Sequence, residues 1–267
     1  MAGRKTQGWV PNQHGAWAML LGPYLAGVIL RLRDADWQPY VIPLLACWLL
    51  GYFAFHAASL WLKAAPARRG RYRPALITYA AFSGTAGLLT LLLAGPGLAG
   101  WALPFVPLLV PALWLAWRRN ERAVTGGGLT VAAASLMALV ARFASPSEFL
   151  AAWPGSAAQR AVALALVLFG YFFGTVLYVK TMIRERGRPE WLAASLGWHG
   201  ALTLAALVWA WPAGGPGAWF WTGFFALTLV RSWTIPRLAR TRPITPKTVG
   251  LIEVAFSVLA LAGIYLT

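Results

Sequence analysis

Five ionisable side chains lie within or at the mouth of otherwise apolar stretches of this chain and are its first candidates for chemistry: His14, His56, His199, Arg231 and Glu253. A charge in the middle of a lipid-embedded helix costs about 2–4 kcal/mol, so such a residue is retained where it is used. At a rise of ~1.5 Å per residue, His56 lies roughly 10 Å from Lys63, Glu253 roughly 9 Å from Lys247 and His199 roughly 13 Å from Glu190. Arg231 stands about a turn and a half before Pro236, and His14 at the mouth of the first apolar run. These groups share one depth, next to the basic connections.

Hydroxyls recur at helical spacing around them. Ser59 follows His56 by three residues, Ser195 and Thr203 flank His199 by four, and Ser257 follows Glu253 by four. Tyr171, Thr175 and Tyr178 share one helix face, as do Tyr79 and Ser83. The pattern predicts a polar lining; the plainer alternative is bonding between helices or back to carbonyls. Three chemistries fit. His56, His199 and Glu253 suit acid/base work or a proton path. Neutral imidazoles can ligate haem or a transition metal, although the three histidines fall on different helices and offer no ligand spacing. Lys63, Arg73, Lys180, Arg188, Arg231 and Arg242, with His14, suit an anionic head group such as phosphate, diphosphate or carboxylate. Against the last stands simple topology, because basic residues mark the inner face of any polytopic protein.

The elements that must position these groups are helices in lipid. Of 267 residues, 59% are hydrophobic and 11% charged, and the mean hydropathy is +0.62. That leaves too little polar surface for a water-soluble globule of this size. Nine spans are predicted: Ala16–Leu32, Tyr40–Leu62, Pro74–Ala94, Trp101–Trp117, Leu129–Phe143, Val162–Val179, Leu192–Trp211, Ala218–Ile235 and Val249–Leu266. Pro104, Pro107 and Pro111 predict a bent fourth helix. The formal charge of +16 flanks apolar runs instead of forming a solvated face, which points to membrane lipids and away from nucleic acid. Cys47 is the single cysteine, so no intrachain disulfide is expected. The segment Met1–Gln13 lacks the features of a removable signal peptide, and the first helix is expected to remain.

Lys and Arg gather on alternate connections. Assigning those connections to one side leaves only Arg31, Arg33, Arg142 and Arg160, four of 23, for the other. That split requires an odd number of spans. It predicts a cell-membrane protein with a cytoplasmic N-terminus and an extracytoplasmic C-terminus. There is also an internal echo: Gly51-Tyr52-Phe53, Lys63 and Arg73-Pro74 are answered by Gly170-Tyr171-Phe172, Lys180 and Arg188-Pro189. Related halves often place a site at their interface.

The opening Pro11-Asn12-Gln13-His14-Gly15-Ala16-Trp17-Ala18 resembles the signature of the YwiC-like integral membrane proteins, and the likeness extends over nearly the whole chain. It implies a polytopic membrane fold and leaves the mechanism to the residues. Nine spans with prominent inner loops after the second and sixth also look like the UbiA-type intramembrane prenyltransferases. In those enzymes, Asp-rich motifs at the two loops bind Mg²⁺ and a polyprenyl diphosphate. Here Arg73-Pro74 matches, but neither loop contains Asp, and Glu185 and Glu190 are the only acids in the second. Two hard cations bridging a diphosphate need several carboxylate oxygens, so the usual ionisation chemistry is not expected.

The expectation is therefore an all-α, UbiA-like bundle of about nine transmembrane helices, forming a single domain over residues 1–267. Its inner-facing cavity would take a lipid or isoprenoid-type ligand with an anionic or polar head. If it catalyses a reaction, the enzyme would be a UbiA-like transferase with a non-standard site built on His56, His199 and Glu253. A proton-coupled small-molecule transporter and a haem- or metal-binding protein are the alternatives.

Overall fold

A computed structural model describes residues 8–11, 16–120, 123–242 and 244–266, and all of the regular structure in them is helical. Each predicted span falls on a helix: α1 (Ala16–Asp34), α2 (Val41–Lys63), α4 (Arg73–Ala94), α5 (Ala102–Trp117), α6 (Val124–Arg142), α8 (Ser156–Val179), α9 (Pro189–Ala213), α10 (Pro216–Thr241) and α11 (Pro246–Ile264). Two short helices complete the set, α3 (Pro66–Arg69) and α7 (Pro146–Ala152). A 3-10 turn (Pro96–Trp101) leads into α5, which runs through Pro107 and Pro111, and a π turn (Lys180–Arg184) closes α8.

Among the described residues, seven helices are long and apolar enough to cross a membrane: α2, α4, α5 with its 3-10 turn, α6, α8 with its π turn, α9 and α11. The other two expected spans fall outside this set. Arginines dilute both of them, Arg31 and Arg33 in α1 and Arg231, Arg237 and Arg240 in α10. The apolar side chains left exposed, such as Leu92, Leu103 and Leu204, suit contact with lipid.

The contacts divide the chain into two compact units, Met1–Val162 and Ala163–Thr267. In the first, small residues let helices approach closely. A Cβ on Gly27 of α1 would collide with the Ala138 carbonyl of α6, and one on Gly87 of α4 would press on Cys47 Sγ of α2 at 3.3 Å. Ser83 on α4 donates to the Cys47 carbonyl at 2.9 Å.

The last turn of α6 leaves carbonyls with no helical partner, and side chains from elsewhere in this unit satisfy them. Arg31 donates to the Arg142 carbonyl at 2.7 Å, Trp101 to the Phe143 carbonyl at 3.0 Å, and the Tyr40 hydroxyl to the Ala141 carbonyl at 3.4 Å. Acids balance the buried arginines. Glu148 lies 3.8 Å from Arg31 and 3.7 Å from Arg142, while Asp34 pairs with Arg160 at 2.9 Å. Ser145 caps α7 by accepting from the Glu148 amide, and Glu148 reaches back to the Ala144 amide, a capping-box arrangement that fixes the carboxylate.

In the second unit α9 and α10 lie along one another and α11 packs on α10. Gly214, at φ +62°, ends α9 in the left-handed conformation, and Pro216 starts α10 two residues later.

Replacing Arg31 with Met strips a donor from a buried carbonyl and leaves Glu148 short of one cation. We expect a loss of roughly 1–3 kcal/mol, read as a lower Tm in detergent, while the exposed Arg33→Met stays near wild type. Equal Tm values for the two variants would refute this clasp.

Candidate functional site

Each of the four long helices of the second unit supplies part of one buried polar network. Arg231 on α10 is 4% exposed, Glu253 on α11 7% and His199 on α9 1%. Arg231 Nη1 donates to Glu253 Oε1 at 2.6 Å, a short charge-assisted bond. The other carboxylate oxygen accepts from the Thr175 hydroxyl on α8 at 2.8 Å. The guanidinium lies between two rings, 4.4 Å from the centroid of Tyr178 and 4.7 Å from that of Phe256.

The hydrogen bonds of His199 define its tautomer. Nδ1 is 2.7 Å from the Ser195 carbonyl, which can only accept, so Nδ1 carries the proton. Nε2 is then the lone-pair nitrogen and faces Arg231 Nη2 at 3.4 Å, a group that can only donate. A neutral imidazole satisfies both contacts, and the network of one guanidinium, one carboxylate and one imidazole carries no net charge. Gly174 on α8 makes room for the ring, since a Cβ there would stand 2.9 Å from His199 Nε2. Behind Glu253, Ser257 donates to the Glu253 carbonyl at 2.8 Å, and Tyr171 contacts the Ser257 hydroxyl at 3.1 Å.

Three buried polar atoms around this network have no hydrogen-bond partner: Arg231 Nε, the Tyr178 hydroxyl and Ser195 Oγ. A buried polar group left unsatisfied costs about 1–3 kcal/mol. They mark where the arrangement is incomplete.

Towards the Arg184 end of α8 a cleft of about 360 Å³ opens. Arg186, Arg188 and Arg240 line it together with the apolar Met182, Leu192 and Pro236. Arg186 spends one nitrogen on the Ala239 carbonyl at 2.5 Å, and Arg188 binds Glu185 at 2.8 Å and Glu190 at 2.7 Å. Those two acids hold the Arg188 guanidinium even more firmly protonated than usual. Met182 and Ala239, on the cleft wall, pack in one cluster with Tyr178, whose ring lies against Arg231.

The other candidates are dispersed. His56 is half-buried on α2 and Lys63 ends that helix, while Arg73 begins α4 in an exposed position; all three belong to the first unit. Lys180 opens the π turn with its ammonium 4.1 Å from the Trp191 ring centroid. Arg242 is exposed just beyond α10. His14 lies outside the described residues. Arg231, grouped by sequence with the head-group cations, is the buried partner of Glu253. Thr175, Tyr178 and Arg186 are contributors that sequence reasoning did not assign to a site; the shared face of Tyr171, Thr175 and Tyr178 was the available signal. Among the described residues, no three His, Cys, Asp or Glu side chains converge as a metal-binding group.

Among the described residues, seven membrane-length apolar helices, together with buried charges held in ion pairs, define a polytopic α-helical membrane protein. Residues 10–142 match the YwiC-like protein family. The chain is 30% identical over 262 residues to "Uncharacterized protein YwiC" of Bacillus subtilis (strain 168), an alignment covering 95% of each chain. This chain belongs to the YwiC-like family. No solved structure matches it.

Removing one partner of a buried ion pair strands the other, at a cost of about 3–5 kcal/mol, whereas replacing both with apolar residues is often neutral. Glu253→Gln should therefore lower the Tm markedly, and the double variant Arg231→Met, Glu253→Leu should recover most of the loss. A double variant no more stable than the single would contradict the pairing.

Proposed function

We propose that this protein binds an amphiphile with an anionic head group, a lipid or isoprenoid-type molecule, in the cleft of its second unit. The observation that carries the reading is the composition of that cleft: three guanidinium groups beside Met182, Leu192 and Pro236. Guanidinium forks match phosphate and carboxylate oxygens, and the apolar side chains suit a hydrocarbon tail. Basic connections contribute them, which supports a cytoplasmic position for this cleft under the expected nine-span topology with the N-terminus inside and the C-terminus outside. This reading keeps the UbiA-like expectation of a head-group site at the inner loops, here without the Asp-rich Mg²⁺ motifs. If the bound molecule reacts, His199 through Nε2 and Glu253 through its carboxylate are the groups able to move a proton.

Titration of purified protein with a diacyl phosphatidic acid and with a prenyl phosphate tests this. We expect saturable binding of one or both. The double variant Arg188→Ala, Arg240→Ala should lose about 10–100-fold, the value of one or two charge-assisted hydrogen bonds. Binding that is no stronger than to an uncharged diacylglycerol, or is insensitive to these variants, would overturn the reading.

One observation favours a second reading, proton-coupled transport. The Arg231–Glu253 pair is buried in a unit whose helices α9 and α11 are long and apolar enough to span, and intramembrane ion pairs commonly mark proton or substrate paths. That reading requires proton-linked flux in proteoliposomes that Glu253→Gln abolishes while the folded fraction is maintained. No pH-driven flux in wild-type vesicles would remove it.

A further inference from the structure

The same second unit contains a feature that the anionic-head reading leaves unused: two hydrogen-bond donors, buried side by side, with nothing to donate to. The Tyr178 side chain is 0% exposed and its hydroxyl has no partner; Arg231 Nε–H is likewise unpartnered, and the guanidinium lies 4.4 Å from the Tyr178 ring centroid. Both lie on helices whose following residues line the cleft. Tyr178 precedes the cleft residue Met182 by four positions, about one helical turn, and Arg231 precedes Pro236 by five, about a turn and a half, or roughly 6–8 Å along the axis. Tyr178 also packs against Met182 and Ala239, which form part of the cleft wall.

What these donors require follows from their chemistry. Glu253 already neutralises Arg231, and His199 is neutral by its hydrogen bonds. A second anion here would unbalance the charge, and burying an unpaired charge is costly. Two donors without an acceptor call for an uncharged acceptor oxygen. Resting on the head-group reading above, we propose that the ligand is an acyl-ester amphiphile, with its phosphate-type head among the cleft arginines and an ester carbonyl accepting from Tyr178 and Arg231. A glycerophospholipid carries its carbonyls a short glycerol backbone away from its phosphate. A prenyl diphosphate has no oxygen along its chain and would leave both donors empty. Met182, an unbranched thioether with three rotatable bonds, is the side chain able to swing aside and admit the carbonyl.

The test compares three probes on the full-length protein in detergent: a short-chain diacyl phosphatidic acid, its dialkyl ether analogue with the same head and tails, and a prenyl phosphate. The ester should bind about 5–10-fold more tightly than the ether, the value of about one hydrogen bond. Tyr178→Phe should abolish that difference by bringing the ester down to the level of the ether. Without ligand, the same variant should unfold at the same or a higher temperature than wild type, because it deletes an unsatisfied buried hydroxyl. Equal binding of ester and ether by wild type, or discrimination that survives in Tyr178→Phe, overturns this inference while leaving the head-group reading intact. Failure of every anionic probe to bind would instead remove the reading on which it rests. A clear fall in the ligand-free Tm of Tyr178→Phe would show that the hydroxyl is already satisfied within the protein, which also defeats the proposal.

Discussion

A guanidinium placed among lipid-facing helices has to be neutralised and hydrogen-bonded at once, and the contact between Arg231 and Glu253 meets both demands. The rest of the second unit is arranged around it. Helix α10 must turn Arg231 inward, α11 must present Glu253 at the same level, α8 must bring Thr175 to the second carboxylate oxygen, and α9 must offer the lone pair of His199. Aromatic faces cover the guanidinium on two sides. A rotation of any one helix by one residue, about 100°, would strand a charge or a donor. The pair therefore sets the azimuth of four helices, a job that apolar packing between leucine-rich surfaces performs poorly in lipid.

The first unit handles its arginines by a different route. Arg31 is spent chiefly on a backbone carbonyl at the end of α6, where a cation also complements the helix dipole. Its carboxylate neighbour Glu148 is held at longer range and shared with Arg142, while Asp34 serves Arg142 and Arg160. Trp101 and Tyr40 finish the same helix terminus. This is what a structural use of buried charge looks like: the donors go to main-chain groups that would otherwise be orphaned. In the second unit the Arg231 guanidinium goes to side chains, Glu253 and His199, and in both units buried arginines leave Nε without a partner.

The helices were legible because period and length are local properties. All nine predicted spans correspond to helices, and the departures are local too: the 3-10 turn before α5 and the π turn after α8 depend on hydrogen-bond choices that hydropathy does not encode. That Glu253 and His199 belong together was legible from their common depth. Their link to Arg231 was not, because sequence sets a residue's height along its helix while tertiary packing sets which way it faces. Arg231 therefore read as one more inner-face cation. The clasp around Arg142 is hidden for a related reason: in the sequence Arg31, Arg142 and Arg160 read only as topology markers. The scarcity of acids was the usable signal, since only seven Asp and Glu occur in the chain and two of them, Asp34 and Glu148, lie near those arginines in sequence.

Whether the second network exists for stability or for binding turns on what it leaves unsatisfied. A buried ion pair is a poor way to stabilise a fold, because a well-packed apolar replacement usually does as well or better. Unfilled guanidinium nitrogens alone do not decide it, because Arg31 Nε and Arg142 Nε at the end of α6 are without partners too. What sets the second network apart is a neutral hydroxyl, that of Tyr178, left open beside Arg231 Nε, where the wall is made of Met182 and three further arginines line a cleft about one turn beyond Tyr178. Open donors in an apolar setting carry a standing cost that an acceptor would remove. The charge balance already achieved by Glu253 dictates that this acceptor be neutral, and the neighbouring arginines dictate that the molecule carrying it also be anionic a short distance away.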